Sequence, residues 1–181
     1  MSTNGLVMLV DLLDEAATDR FRTRFTSAQR EHFADELTAA LSRVVDRPGG
    51  VRLEINAQDM VASGAEERIF RGASRGRAVV CEDADQYGIL FQVWKLDPVA
   101  DSTCVYCAYV PYPGNQPESR SASRVLDGPA AAAAAAELYG VDPEAMTAVD
   151  DDRTAVSATI GVVGTPFTPW LEALGVTWPD P

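Results

Sequence analysis

Residues 88–97 constrain the fold more than any other segment. Ile89, Phe91 and Val93 alternate with Leu90, Trp94 and Leu96, and Gln92 and Lys95 are the interruptions. A strand turns successive side chains to opposite faces, so this one is apolar on both. It needs cover on both faces. Residues 77–82 and 103–112 carry strand signals too, and their connections, 83–87 and 98–102, are of hairpin length. Upstream, Val51, Leu53 and Ile55 alternate with Arg52, Glu54 and Asn56, which predicts a half-buried strand with one wet face. Residues 51–112 therefore read as an antiparallel meander.

The cover is read as helical. Leu6, Leu9, Val10, Leu13, Ala16 and Ala17 recur at spacings of three and four, one face of a helix. Thr26 and Gln29 read as the capping box of a second helix. Its stripe is Phe33, Leu37, Ala40, Leu41, Val44 and Val45, stopped by Arg-Pro-Gly-Gly at 47–50. Beyond a loop at 113–123, Gly128-Pro129 opens an alanine-rich helix with Gly140 as its stop. Asp142-Pro143 opens another short helix or turn. Val156, Ala158, Ile160 and Val162 predict a last half-buried strand at 155–163, and Thr168-Pro169 a final short helix ending at Gly175. The expected fold is α+β in one domain, 1–181: a helical segment at 1–47, the meander at 51–112, and short helices plus a strand at 128–175. The opening helices cover one face of the sheet. The C-terminal third, or a second copy in a homodimer, covers the other.

Charge narrows the partners. The 181 residues carry 27 acids and 15 bases, net -12. Nucleic acid and anionic membrane both reward Lys and Arg, so neither is expected as a ligand. Residues 1–80 hold 12 acids and 11 bases, and residues 81–181 hold 15 acids and 4 bases. Such asymmetry points to a polarised surface or to two partners of opposite charge. Lys95 is the one lysine among the bases, which with the abundant alanine reads as the codon bias of a GC-rich bacterial genome. The first residues lack a basic n-region and carry Asp11 and Asp14, unlike a signal peptide. Three cysteines without such a signal read as reduced thiols in the cytoplasm.

Chemistry-bearing residues are few. His32 is the single histidine, so any Ser-His-Asp constellation must use it. It falls at the edge of a helical stripe, and no catalytic residue is assigned. Cys104-Val-Tyr-Cys107 has the spacing of a redox dithiol or half a zinc site. In a regular strand, however, residues three apart face opposite sides, and zinc would also need Cys81 and His32. The pair is expected to be structural, with no metal and no cofactor. Glu66-Glu67, and Asp83 with Asp85, read as surface charges. Arg68, Arg71, Arg75 and Arg77 gather around Gly72 and Gly76 without P-loop spacing. Arginine forks suit carboxylate or phosphate, so Arg71, Arg75 and Arg77 are candidates for an anion or a partner. Asp150, Asp151 and Asp152, after Asp142 and Glu144, lack a calcium-loop pattern and are candidates for a basic protein partner.

Two functions are expected. One is a non-enzymatic acidic protein-interaction protein of adaptor, chaperone or immunity type. The other is a small-molecule or anion-binding protein or enzyme with a pocket between sheet and helices. There Arg71, Arg75 or Arg77 would hold the anion, and Trp94, Tyr106 and Tyr109 would line the walls.

Overall fold

Six strands form one antiparallel sheet between two helical layers. The computed structural model describes residues 5–33, 41–58, 66–84, 87–114, 124–162 and 164–179. In chain order the elements are β1 (Gly5–Leu12), α1 (Glu15–Phe33), β2 (Leu41–Arg47), β3 (Gly50–Gln58), α2 (Glu66–Phe70), β4 (Gly76–Asp83), β5 (Ile89–Leu96) and β6 (Thr103–Val110). Then come α3 (Pro129–Tyr139), α4 (Pro143–Asp151), α5 (Thr154–Ser157), a 3-10 turn (Thr165–Phe167) and α6 (Thr168–Ala173). The strand order is β2-β3-β1-β4-β5-β6. The α+β expectation holds, and the single-chain cover of both sheet faces answers what the apolar segment at 88–97 demanded.

The opening segment departs from its helical reading. Residues 5–12 are a central strand, hydrogen-bonded to β3 on one side and β4 on the other. Leu6, Met8 and Val10 enter one face and Val7 and Leu9 the other. A short continuous apolar run fits a strand buried on both faces as well as it fits a helix, and here pairing on both edges decides. The meander therefore comprises β4–β6, and β1 separates β3 from it.

Helix α1 begins earlier than the capping box suggested. Its cap is Asp14, whose Oδ1 accepts from Ala17 N at 2.7 Å, and Thr26 lies mid-helix. The expected second-helix stripe divides. Leu41, Val44 and Val45 belong to strand β2, while Leu37 and Ala40 lie outside the described residues. The β1 and β2 strands run the same way, both antiparallel to β3, so their connection needs a crossover, and α1 is the helix in it.

Ala17, Phe21 and Phe25 of α1, with Ile69 and Phe70 of α2, cover the first face. Phe70 packs on Trp94 at 5.0 Å between ring centroids. On the second face Ala132 and Ala135 of α3 are wholly buried, because methyl side chains let a helix lie close to a sheet. Trp170 of α6 stacks on Phe91 at 5.0 Å and 11°. Over its described residues, 155–162, the expected strand at 155–163 is instead α5 followed by turns. Asp152 Oδ1 accepts from Thr154 N at 2.9 Å and starts the helix, Val156 alone of the alternating set is fully buried, and Val162 stays exposed.

Candidate functional site

Strand register builds a charged row at one end of the second face. Arg52 of β3 pairs with Asp11 of β1, Asp11 with Arg77 of β4, and Arg77 with Lys95 of β5. Four strands thus place three cations and one acid side by side. Gly76 permits the close approach, since a Cβ there would overlap the Asp11 carbonyl. The row floors a cavity of about 800 Å³, within the usual size of ligand pockets. The β2–β3 turn forms one wall with Arg47, and Arg75, Lys95 and Asp97 form another. Leu138 and Tyr139 at the end of α3, with Leu174 and Val176 after α6, form an apolar roof.

The cavity is cationic, with Arg47, Arg52, Arg75, Arg77 and Lys95 against Asp11 and Asp97. Arg52 is 2% exposed, so the half-buried strand with a wet face is corrected. Arg52 and Glu54 are buried on that face, and Asn56 at its far end stays exposed. Asp11 holds Arg52 by a fork, Nε at 2.5 Å and Nη2 at 2.8 Å, and also accepts from Arg77 Nε at 2.9 Å. Burial pushes the Asp11 carboxyl up, but the hydrogen bonds and charges of Arg52 and Arg77 outweigh it and hold the group below its ordinary value. Arg77 also donates to the Leu138 carbonyl at 2.9 Å and lies 4.1 Å over the Tyr139 ring. Burial, then the charge of Asp11, pushes the Tyr139 hydroxyl up, so it stays protonated.

Three buried atoms here have no hydrogen-bond partner among the described residues: Arg52 Nη1, Arg47 Nε and the Tyr139 hydroxyl oxygen. A buried donor without a partner is costly, and an acceptor placed in the cavity would relieve it.

Of the arginines picked from the sequence, Arg75 and Arg77 line this cavity. Arg71 does not. It is exposed after α2, its carbonyl accepting from Arg24 Nη1 at 2.8 Å. Arg52, Arg47, Lys95 and Tyr139 were missed. Arg52 was legible only by reading residues 5–12 as a strand, which sets Asp11 beside it. Trp94 and Tyr109 lie on the other face of the sheet, and Tyr106 lies beneath the helices, so none of the three lines the cavity.

The acidic turn is partly internal. Asp150, with a side chain 7% exposed, accepts from Tyr106 Oη at 2.5 Å, Gly128 N at 3.0 Å and Arg153 Nη2 at 2.8 Å. Asp152 accepts from Thr154 at the start of α5, and the hydroxyl and amide of Thr154 hold its carboxyl below the ordinary range. Asp151 and Asp152 face outward.

Cys104 and Cys107 depart from the opposite-face expectation. A bulge at Val105 sets Cys104 opposite Trp94 and Tyr106 opposite Val93, so two residues of β6 fill one position. Val105 and Tyr106 both turn to the second face, and both cysteines to the first. Glu66 and Asp83, expected on the surface, are buried. Gln92 Nε2 donates to Glu66 Oε1 at 2.8 Å, and Trp94 Nε1 donates to Gln92 Oε1 at 2.6 Å. Arg124 pairs with Glu66 at 2.8 Å. No group of three or more His, Cys, Asp or Glu is placed for a metal among the described residues. The His32 side chain and Asp85 lie outside what is described. Nor is any described helix long and apolar enough to cross a membrane.

No protein-family profile, curated protein or solved structure matches this chain.

Proposed function

We propose that this protein is a binding protein whose cavity at the end of the sheet receives an anionic small molecule. Arg52 carries the reading: a nearly fully buried guanidinium that lines the cavity with one nitrogen unpartnered among the described residues. Its fork suits a carboxylate or phosphate. Arg75 and Lys95, exposed at the rim, steer and hold the ligand's charge. The leucine and valine roof takes an apolar body, so the ligand is an organic anion. Arg71 serves no part in it. A thermal-shift screen of carboxylates, phosphates and nucleotides tests the reading. A ligand at about 100 times its Kd stabilises the fold by about 2.7 kcal/mol. If no anion raises Tm above an ionic-strength control, the reading fails.

The charge distribution favours a second role on another surface. Residues 128–181, the C-terminal helical layer, hold eight acids and one base. Glu137, Glu144, Asp151 and Asp152 of that layer are exposed, which supports reading it as an acidic face. We propose that this face meets a basic protein partner, as an adaptor, chaperone or immunity protein would. The cytoplasm, a reducing compartment that keeps Cys81, Cys104 and Cys107 as thiols, is the proposed location. Pull-down at low salt with Glu144, Asp151 and Asp152 changed to neutral amides tests it. Unchanged capture would remove the face from the mechanism.

A further inference from the structure

Charge is unevenly placed along the cavity floor, and with the cavity taken as an anion site, as proposed above, that pattern defines the ligand further. At the β2–β3 end Val45 stands opposite Arg52, so Arg47, two residues farther along β2, is the diagonal neighbour of Arg52 on the same face. Diagonal neighbours lie about 7–8 Å apart, within reach of long side chains. Arg47 Nε and Arg52 Nη1 are both buried without a hydrogen-bond partner among the described residues. This end is a cationic pole.

The middle of the floor is neutralised from within. Asp11 is shared by Arg52 and Arg77, and Arg77 is also turned to the Leu138 carbonyl and the Tyr139 ring. The roof here is apolar, with Leu138, Leu174 and Val176. At the far end stand Arg75 and Lys95, both exposed, with Asp97. Asp97 Oδ1 accepts from the amides of Val99 and Ala100 at 2.9 and 3.1 Å, so its own loop meets part of its charge. The two cations make a second pole.

The register sets the distance between the poles. Arg52 and Lys95 are joined through Asp11 and Arg77, three strand spacings in all. Neighbouring strands lie about 4.7–4.9 Å apart, which places the poles roughly 14 Å apart. A small anion reaches one pole and leaves the other unused. A ligand charged at its centre meets the Asp11 carboxylate. Charge at both ends and none between matches all three zones, and about 800 Å³ is ample for such a molecule.

We propose that the cavity takes a two-headed organic anion, with one anionic group at Arg47 and Arg52, an apolar middle over the Asp11–Arg77 pair, and a second anionic group at Arg75 and Lys95. Each head gains charge-assisted hydrogen bonds, and the roof covers the chain between them.

Calorimetry at fixed ionic strength tests this with straight-chain dicarboxylates and bisphosphonates of increasing length. Each is compared with the mono-acid of the same length. A di-acid long enough to reach both poles should bind tighter than its mono-acid by about tenfold or more, the value of one charge-assisted hydrogen bond. Short di-acids, with the same charge, should show no such advantage. Arg47→Gln, at a half-buried position, and the double variant Arg75→Gln, Lys95→Gln each remove one pole. Each should lose most of the advantage, whereas Arg71→Gln keeps it. The proposal is overturned if mono-acids match di-acids at every length, if short and long di-acids have the same advantage, or if either pole variant keeps it in full. In those cases one-headed anions still bind, and the anion-binding reading stands without the two-headed ligand. If no probe binds, the proposal falls, and the wider anion screen decides the reading beneath it.

Discussion

Asp11 restrains two guanidinium groups with one carboxylate, and this imbalance sets the behaviour of the cavity. Changing Asp11 to Asn would leave buried Arg52 without its counter-charge and should cost about 3–5 kcal/mol, the usual effect of removing one partner from a buried pair. Its pH dependence has a definite sign. The folded-state carboxyl is held below its unfolded value, so its contribution is present above the unfolded pKa of about 3.9 and is lost as pH falls through the lower folded value. Urea midpoints measured from pH 7 to pH 2 should fall less steeply for D11N than for wild type. At Tyr106, the hydroxyl donates to Asp150 and accepts from Trp170 Nε1 at 3.0 Å. Tyr106→Phe leaves both short of a partner, and a loss of about 1–3 kcal/mol is expected in the same measurement.

Among the elements, β1 and β6 show what sequence periodicity could and could not carry. The strand at 89–96 was readable because its two apolar sets alternate without a helical alternative. The run at 5–12 was not, since Leu6, Leu9, Val10 and Leu13 satisfy a spacing of three and four while the structure uses a spacing of two. Only its long-range pairing with β3 and β4 separates the readings. The Val105 bulge is likewise invisible in sequence, because it arises from how β6 sits against β5. Misreading β1 hid Asp11 and with it Arg52, while Arg75 and Arg77 were legible as a local cluster. Hydrogen exchange tests the placement directly. Amides of β1, paired on both edges, should exchange far more slowly than those of edge strand β2. Equal rates would contradict the strand order.

On the scale of the whole molecule, one chain covers both faces of its sheet. The fold therefore has no need of a second copy to hide an apolar face, and Tm should not change when protein concentration is raised a hundredfold. An obligate dimer would show a rise. Charge is also arranged at this scale, with a cationic cavity at one end of the sheet and an acidic helical layer over one face. Both halves of the sequence contribute to the cavity: Arg52 and Arg77 from the near-neutral half, Tyr139 from the acidic one. The central claim is that the cavity, rather than the arginine-rich segment as such, binds the anion. The deciding measurement is the anion-induced Tm shift in Arg71→Gln and in the double variant Arg75→Gln, Lys95→Gln, all three positions being exposed. The account predicts a full shift for Arg71→Gln and a largely lost one for the double variant. A shift lost in Arg71→Gln, or kept in the double variant, would contradict it.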